Sequence, residues 1–154
     1  MDIDIVIERV SFASLGDEWH DLARAGYHAD YAGISELYGG ATTAGDKVAL
    51  MQRWGRGILA WTARDAGRLV GLLTGDLDGD RLIIYDFFVD GAYRRRGIGH
   101  ALVSTALRAP GLRQAAAEVN VANFASRALF EALGFTAART VSWYVLAVDG
   151  EVAP

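Results

Sequence analysis

The stretch VDGAYRRRGIGHAL, residues 89–102, is where an apolar strand hands over to a helix. Ile98, Ala101, Leu102, Thr105 and Ala106 recur on one face, so a helix is predicted over 97–108, ended by Pro110 and Gly111. The preceding run LIIYDFFV, residues 82–89, has the length and composition of a buried strand. Such a junction attracts anions. The first N–H groups of a helix have no intrahelical partner, and the helix dipole favours negative charge there. Gly97 and Gly99 allow close backbone approach, and Arg94, Arg95 and Arg96 add forked donors suited to phosphate oxygens.

Upstream the chain reads as strands. The stretches 58–64, 69–76 and 81–89 are separated by the turn signals Asp65-Ala66-Gly67-Arg68 and Asp78-Gly79-Asp80, which predicts an antiparallel meander. A further strand is expected at 3–10, helices at 14–25, 30–38 and 47–55, and a glycine-rich loop at 39–45. Downstream, 112–119 reads as a strand and 123–133 as a helix with Asn123 as its N-cap and Gly134 just beyond its end. Strands at 135–138 and 141–148 come next. The strand–helix–strand–helix run from 82 to 135 requires a locally parallel or split sheet, so the whole is a mixed α/β fold. With 154 residues, about half of them apolar, the expectation is a single domain over 1–154.

Composition excludes several classes. The net charge of −4 gives no general basic footprint for nucleic acid. The chain has no cysteine, which removes disulfides, thiolate nucleophiles and Cys-ligated zinc. His20, His28 and His100 lack metal-ligand spacing, so no metal is expected. The acidic start MDIDIVIERV does not read as a signal peptide, and no apolar run is long enough to cross a bilayer. A cytoplasmic protein without membrane association is the expectation.

Three readings of the glycine loop compete. A dinucleotide fingerprint fits at Gly97 and Gly99, with Glu118 as the ribose acid, but its third glycine is Leu102 and its strand ends a meander. The nucleoside-triphosphate loop is absent, since no Gly-Lys-Ser/Thr occurs. A turn carrying a solvated basic run is the plain alternative. Arg94-x-x-Gly97-x-Gly99 also resembles the Q/R-x-x-G-x-G/A signature of the GNAT N-acetyltransferases. A second block supports the likeness: Val119-x-x-x-Asn123-x-x-Ser126-x-x-Leu129-Phe130-x-x-x-Gly134-Phe135 is similar to that family's V-x-x-x-N-x-x-A-x-x-L-Y-x-x-x-G-F helix. The resemblance covers roughly 56–148 and implies a mostly antiparallel central sheet, splayed between its fourth and fifth strands, with helices on both faces. It implies acetyl-CoA as co-substrate, with the pyrophosphate at the loop. Phe88, Val89, Arg94, Arg95, Arg96, Gly97, Ile98, Gly99, His100, Asn123, Ser126 and Phe130 are the matching cofactor positions, Val89 through its backbone. It also allows a homodimer.

The family's reaction is direct acyl transfer from a thioester to an amine, here an acetyl group to a primary amine of a small molecule. An alkyl ammonium has a pKa of about 10 and must lose a proton before it attacks. Asp86 stands in an otherwise apolar strand and must be solvated, hydrogen-bonded or paired. It reads as general base or ammonium anchor, or equally as a structural acceptor. Strict alternation puts Tyr85 on the opposite side of the strand. Glu118 is the second candidate base. The family's usual thiolate-protonating tyrosine is replaced by Phe130, so Tyr144 or Tyr85 is expected to substitute, or the thiolate leaves unaided. That replacement keeps open a non-catalytic acyl-CoA-binding module, alongside a protein or peptide amine as acceptor. Tyr27, Tyr31, Glu36 and Tyr38 read as a substrate wall or as core, and Trp19, Trp54, Trp61 and Trp143 as core. The stretch from Asp86 to Arg94 is similar to that of polyamine-acetylating members.

Overall fold

A computed structural model describes residues 4–30, 59–119, 123–139, 147–148 and 151–152. β1 (Ile5–Ser11) leads through a 3-10 turn (Phe12–Leu15) into α1 (His20–Asp30). β2 (Leu59–Asp65), β3 (Arg68–Asp78) and β4 (Arg81–Val89) come next, then α2 (Ile98–Ala106), β5 (Gln114–Ala117) and α3 (Phe124–Ala132). β6 (Ala147–Val148) and β7 (Glu151–Val152) pair as a short antiparallel ladder. The main sheet runs β1-β2-β3-β4-β5, antiparallel except for the parallel β4–β5 pair. The sheet is thus mixed and mostly antiparallel, as expected.

The meander forms because its turns match the twist of the strands. Ala66 and Gly67 both have positive φ, 48° and 85°, as a two-residue type I′ turn requires. Each face of the sheet then buries its own core. On one face Ala60, Leu72 and Phe88 pack with Phe12, Leu15, and Trp19 and Ala23 from the segment leading into and through α1. On the other, Trp61, Ala63, Val70, Leu73, Leu82 and Ile84 pack against Ile98, Leu102, Val103 and Ala106 of α2 and Phe130 of α3. Trp19 and Trp61 are core residues as expected, while Trp54 and Trp143 lie outside the described residues.

β4 breaks its alternation at one place. Thr74 pairs with Asp86 and Gly75 with Ile84, so Tyr85 is an extra, unpaired residue in the ladder. Leu82 and Ile84 before it, and Phe87 and Val89 after it, belong to the same core. Asp86 shares the opposite face with Thr74 and Phe88. The expectation that Tyr85 and Asp86 lie on opposite sides rested on unbroken alternation, and the bulge removes that basis. Among the described residues the β4–β5 ladder ends at the same point: it covers residues 81–84 against 114–117.

Other expectations shift by a few residues. Regular helix starts at His20, because the segment from Phe12 to Leu15 is a 3-10 turn. The strand expected over 112–119 narrows to Gln114–Ala117, and 135–138 forms no strand. Of the helix expected at 30–38 only Asp30 is described, as the last residue of α1; the rest of it, the helix at 47–55, the loop at 39–45 and most of the strand at 141–148 lie outside the described residues. Among the described residues no helix is long and apolar enough to cross a membrane.

One ion pair ties the approach to α1 onto the sheet. Arg64 of β2 donates both terminal nitrogens to the two carboxylate oxygens of Glu18. That hydrogen bond chiefly holds the Glu18 carboxyl below its ordinary range, against a smaller opposing effect of desolvation. A carboxyl whose folded pKa lies below its unfolded value adds stability that is full above the unfolded value and is lost as pH falls through the folded one. The melting-temperature gap between the native chain and Glu18→Gln should be small but open at about pH 6, both partners being partly solvated, and should close below about pH 4. A gap that persists in acid would assign the effect to packing.

Candidate functional site

The loop after β4 is built by capping and by two left-handed residues. Asp90 caps a short 3-10 turn (Gly91–Tyr93), its Oδ1 accepting from Ala92 N–H at 2.9 Å. Arg95 then has φ 62°, and Gly97, the N-cap of α2, has φ 77°. Gly97 offers no side-chain cap, and the first intrahelical bond runs from Ala101 N–H to Gly97 O at 3.0 Å. The N–H groups of Ile98, Gly99 and His100 therefore precede the helical ladder, as the anion reading requires. Arg94, Arg95 and Arg96 are all exposed around them.

The two glycines serve different ends. Gly97 is needed for its φ, since a Cβ there would meet nothing within 4 Å. Gly99 is needed for space: a Cβ there would lie 2.8 Å from Phe87 Cζ and 3.3 Å from Leu129 Cδ2. Gly99 thus marks where the first turn of α2 presses on β4 and α3. Phe130 joins that contact, its ring 6.2 Å from Phe87 and 5.0 Å from Phe135, both edge-on. At 6 % exposure it is a core residue.

The other expected site residues spread over both faces of the sheet and the two helix starts. Val89 is half-buried at the end of β4, beyond the reach of the β5 ladder. Phe88 points its side chain into the opposite core, so any cofactor contact there falls to its backbone. Ile98 is buried under the loop, and His100 is exposed with Nδ1 3.3 Å from Ser104 Oγ. Asn123 caps α3 as expected, its Oδ1 accepting from Ser126 N–H at 3.1 Å. Asp86 is half-buried and accepts from Thr74 Oγ1 at 3.3 Å, while Thr74 itself is buried. Tyr85 is 51 % exposed at the bulge. Glu118 is exposed just past the end of β5, where the strands have parted. Tyr144, Tyr31, Glu36 and Tyr38 lie outside the described residues, as does the side chain of Tyr27. Among the described residues no group of three or more His, Asp or Glu gathers to hold a metal ion.

Sequence reasoning missed the residues that brace the loop. Tyr93 Oη donates to Asp65 Oδ2 at 2.6 Å, and Arg68 Nη2 lies 3.1 Å from Asp90 Oδ2. These partners are 28 and 22 residues apart, and the local hint was a tyrosine set in an otherwise small and polar loop.

Comparison with known proteins points the same way. The Acetyltransferase (GNAT) family profile matches residues 17–135. The PaiA N-acetyltransferase of Thermoplasma acidophilum, solved with coenzyme A, superposes with a TM-score of 0.71 at 20% identity over 97% of this chain and 96% of that one. The aminoglycoside N-acetyltransferase AAC(6')-Iy with CoA gives 0.64 at 17% over 94% and 95%. A ribosomal-protein-alanine N-acetyltransferase of Brucella melitensis biovar Abortus 2308 gives 0.64 at 19% over 91% and 97%. At these identities the likeness is one of fold. A search of curated protein sequences returns no match.

The glycine geometry makes a paired prediction. Gly97→Ala should cost about 1 kcal/mol through its left-handed backbone alone. Gly99→Ala should cost about 1–3 kcal/mol by overpacking against Phe87. In a Phe87→Leu background the Gly99→Ala penalty in thermal unfolding should shrink while the Gly97→Ala penalty stays. Equal penalties in both backgrounds would refute the packing explanation.

Proposed function

This chain belongs to the GNAT acetyltransferase family, and we propose that it transfers an acetyl group directly from acetyl-CoA to the primary amine of a small molecule. The observation that carries this reading is the parting of β4 from β5 beside the amide-rich start of α2. Among the described residues no β5 ladder reaches the β5 side of residues 85–89, and an amide-bearing pantetheine arm has the hydrogen-bonding pattern of a strand. The pyrophosphate then falls at the N–H groups of Ile98, Gly99 and His100, with Arg94, Arg95 and Arg96 around it. The coenzyme A bound by the PaiA enzyme and by AAC(6')-Iy supports the same choice of donor.

Asp86 takes a proton from the acceptor's ammonium, directly or through water, and so frees the amine to attack, while Thr74 holds the carboxylate. The amine nitrogen bonds to the thioester carbon, and a backbone N–H of the bulged strand supports the oxyanion. Collapse of that intermediate breaks the C–S bond, and the surplus proton on the nitrogen passes, directly or through water, to the departing thiolate. The leaving thiolate has a pKa of about 8.5 and needs little assistance near neutral pH. Phe130 supplies no proton, being a buried hydrocarbon ring. Glu118, exposed at the mouth of the split, is the second acceptor of protons. A small-molecule amine is preferred for the acceptor because of the local likeness of residues 86–94 to polyamine-acetylating members. A protein amine is the reading that the Brucella neighbour favours.

Calorimetry with acetyl-CoA tests the donor. The native chain should bind, and Gly97→Glu, which puts a carboxylate at the anion position, should weaken binding at least about tenfold. Equal binding by both would refute the site. Free-thiol release with a panel of mono-, di- and polyamines and an N-terminal peptide tests the acceptor. With the best amine, Asp86→Asn should lower turnover about a hundredfold at neutral pH and flatten the acid limb of the profile. Full turnover by that variant across the profile would remove Asp86 as base.

A further inference from the structure

We propose that Tyr93 and Asp65, with the Arg68–Asp90 pair beside them, are positioning residues that hold the glycine loop in its anion-binding shape; this rests on the donor reading above. The loop has little to hold itself. Of residues 91–97, Tyr93 alone is partly buried, and the others are two glycines, an alanine and three arginines. Yet the backbone is in an uncommon state, with Arg95 at φ 62° as a non-glycine left-handed residue close to left-handed Gly97. Such conformations persist where surrounding structure over-determines them.

Here the surroundings are one turn. Asp65 and Arg68 are the first and last residues of the β2–β3 hairpin turn and face each other in register. From those two positions the turn reaches both ends of the 3-10 segment of the loop. Asp65 accepts from the Tyr93 hydroxyl at 2.6 Å, and Arg68 pairs with Asp90 at 3.1 Å. Asp90 is held twice more, donating its N–H to Val70 O at 2.8 Å and accepting from Ala92 N–H. The ring of Tyr93 also carries a loop arginine, with Arg96 Cζ 5.3 Å from its centre. Fixing Tyr93 therefore fixes the chain on the N-terminal side of Arg95 and the resting place of one guanidinium. The donated hydrogen bond to Asp65 pushes the Tyr93 phenol above its ordinary range, so it stays a donor at working pH.

A positioning role and a merely structural one separate on readout. Tyr93→Phe keeps the ring and removes only the hydroxyl. It should leave the melting temperature nearly unchanged, weaken CoA binding about fivefold, and raise the KM for acetyl-CoA more than it lowers kcat. Asp65→Ala should do the same, and the double variant should be no worse than either single one. Asp65→Asn, which keeps an oxygen acceptor, should restore most of the affinity. A native chain that binds CoA while Tyr93→Phe binds it equally tightly overturns the positioning role alone. So does a loss of affinity that is additive in the double variant. A native chain that binds no CoA overturns the donor reading itself, and this role with it.

Discussion

Among the described residues, pairing between β4 and β5 stops after Ile84 and Ala117, and the proposed site depends on that constraint. A parallel pair that continued to Val89 would occupy the backbone groups on that side of β4, where the pantetheine arm is proposed to lie. The bulge at Tyr85 falls one residue beyond the last paired position, and bulges add local twist and bend to the strand that carries them. Gly75, opposite the bulge, has no room for a side chain, since a Cβ would lie 2.8 Å from Ile83 O. The close approach of β3 to β4 and the departure of β4 from β5 thus occur at the same level of the sheet.

The glycine loop and the start of α2, just beyond β4, are held by contacts of two kinds. Beneath the start of α2, Gly99 lets the helix settle on Phe87 and Leu129, and Phe130 and Phe135 complete that packing. Phe130 thereby does in this chain what a hydroxyl-bearing ring could not do without a partner, because a buried phenol needs a hydrogen bond. Above the helix start the contacts are polar and come from the β2–β3 turn. The loop lies between an apolar seat and a polar brace, which suits a backbone proposed to present N–H groups to an anion while carrying three like charges.

Local features were legible in the sequence, and non-local ones were not. The meander turns, the Asn123 cap, the helix after Gly97 and the mixed sheet can all be read from spacing and residue type within about a dozen positions. The bulge is visible only as a change of phase, from Leu82 and Ile84 to Phe87 and Val89, and a period-two reading passes over it. The distinct reasons for Gly97 and Gly99 are invisible in a motif that treats them alike. The Tyr93–Asp65 bond joins residues whose closeness depends on the antiparallel register of β3 with both β2 and β4, and no local pattern encodes that.

β4 serves two neighbourhoods at once, and the bulge is what divides them. Its Phe87 and Val89 belong to the core of α2 and α3, on the side of the proposed donor site, while Asp86 and Phe88 face the side of α1. Without the extra residue, Asp86 would fall in phase with Leu82 and Ile84, inside the apolar core, where an ionised carboxylate is costly. With it, the carboxylate stands on the other face, close enough to Thr74 for a hydrogen bond and only half-buried. One inserted residue therefore lets a single strand present apolar side chains on one face and a half-buried carboxylate on the other. In the proposed transfer the glycine loop would anchor the donor by its pyrophosphate while Asp86 meets the amine from the other face of the strand, which would align the two bound substrates.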